Sequence, residues 1–551
     1  MSLKATSDTG WVKPINQITG LDHLGVQAPC IEVYGKLLPG ITNVTDRARY
    51  YSFYAWVFYA FERKKWLDSD TFLKMFRRAD CLFTLAAMAH ETSDNSTVNH
   101  SGALVGKDTF QKHFEEITSG KKFKLSQFSH TNPDSSRYFK NSFGGLGQYY
   151  FGTLCNLKIL AGESPKNGKL IEEVGLKLAK AFDQNVNSSL FLETIENDEF
   201  TYETLTHLKS FCPCNLSCDS EERTLLISLF TKGFASLYQT EYETDFQALN
   251  RVESMAYILA LTEHITKTDT SQSFDVAVFR KLAYTNALQY SGKYEHLWNI
   301  ESSWQDYARN EIASIAMQGI FYCVLKATES RRPNFKDTRS IALWYWQEGP
   351  GSKVTSNYHH QQFDQTLSQL SVQLPNYERW DENNHEVTLA HRVEKLTKNG
   401  SNDLESITKN CLMILAALVS RTQNKSGYNS VELQKSFLDR YPLNLLAICE
   451  TLNTQLNKQS TLSALIQLTH HGLLENHFLV AMRKLRNQQQ MTFLFLPSEF
   501  GIEIIKPPPA VFTSPRFKQV IQIMADLGMV RITENSFLVE PAGYDILKVS
   551  S

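Results

Sequence analysis

The 551-residue chain is longer than one hydrophobic core can organise, so roughly two to four domains are expected. With 42% hydrophobic and 21% charged residues it can bury such cores. The formal net charge of -2 excludes a globally basic nucleic-acid binder, so any DNA contact would be local.

In chain order, a polar entry leads to Ile31–Leu38, a turn at Pro39-Gly40, and then Asn43-Val44-Thr45-Asp46, whose side-chain oxygens can cap a helix start. The spacing predicts a helix over Arg47–Lys65 with Tyr50, Tyr51, Phe53, Tyr54, Trp56, Phe58, Tyr59 and Phe61 around nearly its whole circumference, which marks a buried helix. Arg47 and Arg49 beside these rings could clamp phosphates or a partner. The favoured reading is a buried aromatic helix whose arginines pair with carboxylates at a domain edge.

Helical patterning continues over Thr71–Ala89, and Glu91–Ser101 reads as a polar loop. Phe143–Gly147 interrupts the pattern. Gly144-Gly145-Leu146-Gly147 lacks the strand and third glycine of a dinucleotide fingerprint, and Gly102–Asp108 is one spacer short of a phosphate-binding loop, so both read as structural. Further helices are expected at Leu170–Asp183, Tyr202–Lys209, from Ser220 as N-cap, and over Asp245–Thr266, Phe274–Leu288 and Trp304–Lys326.

The cysteine-rich loop between these helices carries the strongest chemical signal. His207, Cys212, Cys214 and Cys218 place four soft donors close together, a candidate structural zinc set. The spacing departs from the usual C-x2-C. An extended C-P-C tripeptide would hold its sulfurs apart, leaving free thiols as the competing reading. His359-His360 and His470-His471 lack a third ligand nearby and read as packing or polar helix ends. No H-E-x-x-H or G-x-S-x-G motif is present, so no catalytic residue is assigned.

Ser330–Pro333, Gly349–Gly351 and Lys398–Asn402 mark expected boundaries. A helix over His477–Gln488 ends in the basic turn Arg483, Lys484, Arg486, suited either to the helix dipole or to phosphate. A hairpin (Thr492–Leu496, Ile502–Ile505) and the stiff linker Lys506–Pro509 follow. The chain then reads as helix (Arg516–Leu527), strand (Gly528–Thr533), turn, strand and short helix (Phe537–Leu547), the back half of a winged helix.

The expected fold is thus mainly α and multi-domain: an N-terminal helical domain (1–200), a helical domain with the cysteine loop (201–330), an irregular connection (331–400), a helical domain (401–490) and a β-hairpin and winged-helix module (491–551). The ending Val539-Glu540-Pro541-Ala542-Gly543 through Ile546-Leu547 is similar to the Leu-Thr-x-x-Gly-x-x-Leu close of bacterial winged-helix domains, with Glu540-Pro541 departing from it. Gly40–Trp56 resembles a segment of uncharacterised bacterial proteins from defence-type operons. A helical chain closing in a winged helix resembles the kleisin subunits of complexes with structural-maintenance-of-chromosomes-type ATPases.

In the terminal segment Arg516, Lys518, Arg531 and Lys548 balance Asp526, Glu534, Glu540 and Asp545, so weak autonomous DNA affinity is expected. The resemblance implies a non-enzymatic subunit that docks onto an ATPase or nuclease partner and shares DNA contact with it. The longest apolar runs, Tyr50–Phe61 and Cys411–Val419, fall short of a bilayer span and the N-terminal residues lack a signal peptide's hydrophobic region, so a cytoplasmic protein without a membrane is expected. Arg483, Lys484, Arg486, Arg516, Lys518, Arg531, Arg47 and Arg49 are the candidate DNA- or partner-binding residues. A stand-alone DNA-binding regulator and a hydrolase with an unrecognised site are the alternatives.

Overall fold

The computed structural model describes residues 22–93, 100, 102–134, 136–217, 219–233, 246–268, 273–332, 334–374, 384–423, 443–488, 491–533 and 536–549. Cys218, and Glu534 and Asn535 where the sequence reading expects a turn, lie outside them, as does most of the polar N-terminal entry. The fold is mainly α. Among the described residues, strands occur only as four two-stranded antiparallel ladders, two of them the expected C-terminal pairs.

The chain forms two compact units. One comprises residues 1–33 with 302–513, and the other Tyr34–Glu301 with Ser514–Ser551. The boundary between Glu301 and Ser302 falls within the helix Trp298–Glu329.

In the first unit, the helices Glu386–Lys398 and Leu404–Gln423 pack on one another, and the ladder Phe495–Ser498 with Gly501–Ile504 is in register Phe495↔Ile504. The proline-rich segment leads into residues that the unit binds firmly. Ala510 N donates to Thr397 Oγ1, Val511 N to Gln318 Oε1, and Thr513 N to Glu311. Backbone donors satisfied by helix side chains fix this strand-like stretch in place.

The second unit is built on the aromatic helix Arg49–Arg63. Its rings except the half-buried Tyr59 are buried as the apolar pattern predicts: Phe53 stacks on Phe83 at 4.1 Å and Trp56 meets Phe182, Phe191 and Phe211. Its N-terminus differs from expectation. Asn43–Asp46 form a turn and do not cap it; the amide of Ala48 donates to Asp526 Oδ2 at 3.1 Å, from the helix Phe517–Asp526. A carboxylate from a remote helix thus meets an orphan donor at the positive end of this one.

The terminal segment follows the predicted order: helix Phe517–Asp526, strands Val530–Ile532 and Phe537–Val539 paired Val530↔Val539, then helix Pro541–Val549. Gly543 is required by close approach, because a Cβ there would sit 2.4 Å from the Met529 carbonyl. The segment is not separate from the rest of its unit. It packs on the helix Phe246–Thr268, and Phe517 meets Phe274 and Phe279 at about 5 Å ring separation.

Candidate metal centre

Phe211 ends a 3-10 turn and is buried against Trp56, Phe182 and Phe191, stacking on Phe191 at 4.1 Å. This aromatic anchor fixes the start of the cysteine loop. From there the chain turns instead of extending: Asn215 N donates to the Cys212 carbonyl at 3.0 Å, with Pro213 in the second position of the turn, where its fixed φ is favoured. The turn brings the Cys212 and Cys214 sulfurs to 3.3 Å, so the expectation that C-P-C holds its sulfurs apart is overturned.

The helix Ser69–Ser93, which packs against the Tyr202–His207 helix and the Phe211 turn, presents His90 near its C-terminus. His100 stands beside it, with ring centroids 4.4 Å apart. His100 Nδ1 lies 3.0 Å from Cys214 Sγ and 3.4 Å from Cys212 Sγ, and His90 Nδ1 lies 3.5 Å from Cys214 Sγ. All four donor atoms fall within 4.8 Å of one another. A tetrahedral ion with bonds of about 2.3 Å to sulfur and 2.0–2.1 Å to nitrogen has edges of roughly 3.3–3.8 Å, close to these separations.

His100 and Cys212 are buried, and His90 and Cys214 half-buried. The hydrogen bond shared with Cys212 lowers the Cys214 thiol, with the two histidines adding to the effect, whereas burial pushes Cys212 up. The guanidinium of Arg47 interacts electrostatically with both sulfurs. Backbone around the donors is tied down as well: the His100 carbonyl accepts from Arg47 at 3.3 Å and the Cys212 carbonyl from Arg49 at 2.7 Å. Such outer contacts orient ligands.

Of the set proposed from sequence, Cys212 and Cys214 belong to this cluster. His207 does not: its side chain is 66% exposed and lies 3.9 Å from Glu203 on its own helix. Cys218 lies outside the described residues. His90 and His100 escaped sequence reading because the latter is 114 positions from Cys214, and no local spacing rule connects them. A second group, His470, His471 and Glu475, is mostly exposed, both imidazoles contact the Glu475 carboxylate, and the expectation that this histidine pair lacks a third donor nearby is overturned.

The cationic candidates separate into two kinds. Arg47 and Arg49 are buried structural residues and are not presented to phosphate: Arg47 pairs with Asp526 at 3.0 Å, and Arg49 makes a two-pronged pair with Glu222, both side chains 0% exposed. Arg516 is largely buried, donating to the Leu38 carbonyl over the Tyr34 ring, and burial lowers its pKa. Lys484 is half-buried and donates to the Asp22 carbonyl. Arg483, Arg486, Lys518 and Arg531 are exposed, Arg531 paired with Glu540 at 2.9 Å.

Comparisons of the chain with protein-family models, with curated proteins and with solved structures found no match. Among the described residues no helix is long and apolar enough to cross a membrane.

Proposed function

We propose that the chain is a non-enzymatic subunit of a DNA-targeting defence or maintenance complex, docking through its C-terminal helix–hairpin–helix segment onto an ATPase partner of the structural-maintenance-of-chromosomes type. The observation that carries this reading is how the segment uses its charges. Arg516 is largely buried against the Leu38 carbonyl and Arg531 is paired with Glu540, so neither charge is presented freely to a duplex. Beside them a groove lined by Phe274, Phe517, Ile521, Ile532 and Phe537 opens to the surface, with Ile532 47% exposed. An apolar groove rimmed by Asp275 and Lys518 suits a side chain from a partner helix better than a phosphate backbone.

A mobility-shift titration of the purified chain with duplex DNA tests the reading. Weak binding is expected, unchanged by Lys518→Glu. Tight, salt-sensitive binding lost in Lys518→Glu with Arg531→Glu would establish a stand-alone DNA-binding regulator instead. In parallel, co-purification with the products of adjacent genes is expected for the wild type and lost in Ile532→Glu.

A further inference from the structure

We infer that His90, His100, Cys212 and Cys214 form a closed, four-coordinate Zn²⁺ site, and that the ion holds the C-terminal segment in place through Arg47 and Arg223. The donor set selects the metal. Two sulfurs and two imidazoles in a tetrahedral arrangement suit zinc, whereas magnesium and calcium require oxygen ligands. Each cysteine gives its proton to solvent on binding, and two thiolates with two neutral imidazoles cancel the 2+ charge, so the half-buried centre carries no net charge. With all four positions supplied by protein and two donors buried, the site is structural in type, with no coordination position for a substrate.

The ligands come from three separate stretches: the end of the Ser69–Ser93 helix, the His100 segment and the Cys212–Cys214 turn. Closing them around one ion fixes backbone that other groups use. Arg47 donates to the carbonyls of His100 and Gly102, and the same guanidinium pairs with Asp526 at the end of the helix Phe517–Asp526. Asp526 in turn accepts from Ala48 N, at the start of the aromatic helix. On the other side, the cysteine loop leads directly into the helix Glu221–Thr231, capped by Ser220, whose Arg223 donates twice to the Leu527 carbonyl at 2.8 and 3.0 Å. One hydrogen-bonded route, through Arg47, and one route along the chain from the cysteine loop to Arg223 therefore run from the metal ligands to the same helix end. Because linkage is reciprocal, disturbing Asp526 must weaken the metal by the factor that losing the metal weakens the Asp526 contact.

The test uses the full chain. Elemental mass spectrometry of the purified wild type should find about one zinc per chain. Cys214→Ser, His90→Ala and His100→Ala should remove it, and His207→Ala should keep it. Should a variant fail to fold, the wild type stripped by a chelator and titrated with Co²⁺ probes the same four donors: one equivalent should produce thiolate charge-transfer and intense tetrahedral d–d absorption. No zinc together with no cobalt–thiolate spectrum overturns the site, and zinc lost in His207→Ala but kept in His90→Ala overturns the ligand set. For the link, hydrogen exchange at Phe517–Asp526 should accelerate on chelation, and Asp526→Asn should weaken zinc affinity about fivefold or more. Unchanged exchange and unchanged affinity overturn the link while leaving the site standing.

Discussion

His477 shows how one buried side chain acquires a fixed protonation state. Its Nε2 accepts from the amide of Leu494 at 3.1 Å, so that nitrogen carries no proton, and Nδ1 donates to the His23 carbonyl at 2.9 Å. Burial first, with Lys484 assisting, lowers its pKa to about 4. The unfolded chain would protonate near 6.5, so between these values it binds a proton that the folded chain refuses, and stability falls as pH drops from about 6.5 towards 4. His477→Gln keeps an acceptor for Leu494 but cannot titrate. In urea denaturation the wild type should lose about 2 kcal/mol more than this variant between pH 7 and pH 5.

At the scale of elements, ion pairs take the place that the sequence left open for ligand contacts. Arg49 and Glu222 join the aromatic helix to the helix Glu221–Thr231, and Ser52 Oγ and the carbonyls of Ser210 and Cys212 complete their hydrogen bonds. Two charges out of water need each other more than the fold needs either. Arg49→Met should therefore cost about 3–5 kcal/mol by leaving Glu222 buried and unpaired. Arg49→Met combined with Glu222→Leu should cost much less than the sum of the single changes, as measured by a double-mutant cycle in urea. A cost for the double variant equal to that sum would show the pair to be uncoupled.

Across the whole molecule, the most deeply buried histidines of one unit and the buried carboxyls of the other shift in opposite senses. In the unit containing Ser302–Thr513, burial lowers both His23 and His477 to about 4, so acid weakens it. In the unit containing Tyr34–Glu301, burial pushes Asp80 up to about 6, against donors from Gly145, Tyr54 and Tyr138, and also raises Asp46 and Glu301. A carboxyl with a raised folded pKa holds a proton that the unfolded chain has released. Its contribution therefore falls as pH rises from about 4 to 6 and is recovered on acidification. Hydrogen exchange corrected for intrinsic rates should thus show protection around His23 and His477 falling on going from pH 7 to pH 5, while that around Asp80 is kept or gained. Equal loss around Asp80 and around the two histidines would contradict this balance.

Local pattern alone determined the mainly helical class, the buried aromatic helix, the Ser220 cap and the helix–strand–strand–helix order of the C-terminus, because periodicity, capping and turn chemistry act over a few residues. It also found Cys212 and Cys214, which share one turn. It could not place His90 and His100 beside them, or reveal Asp526 as the cap of a helix 478 positions earlier. The all-round apolar helix favoured carboxylate pairing for Arg47 and Arg49, but it could not name Asp526 and Glu222 as the partners. Those assignments depend on which distant surfaces meet, and burial converts an arginine from a phosphate contact into half of an internal ion pair. Tertiary packing decided them, since the energies at stake, desolvation and donor geometry, exist only once the chain has closed on itself.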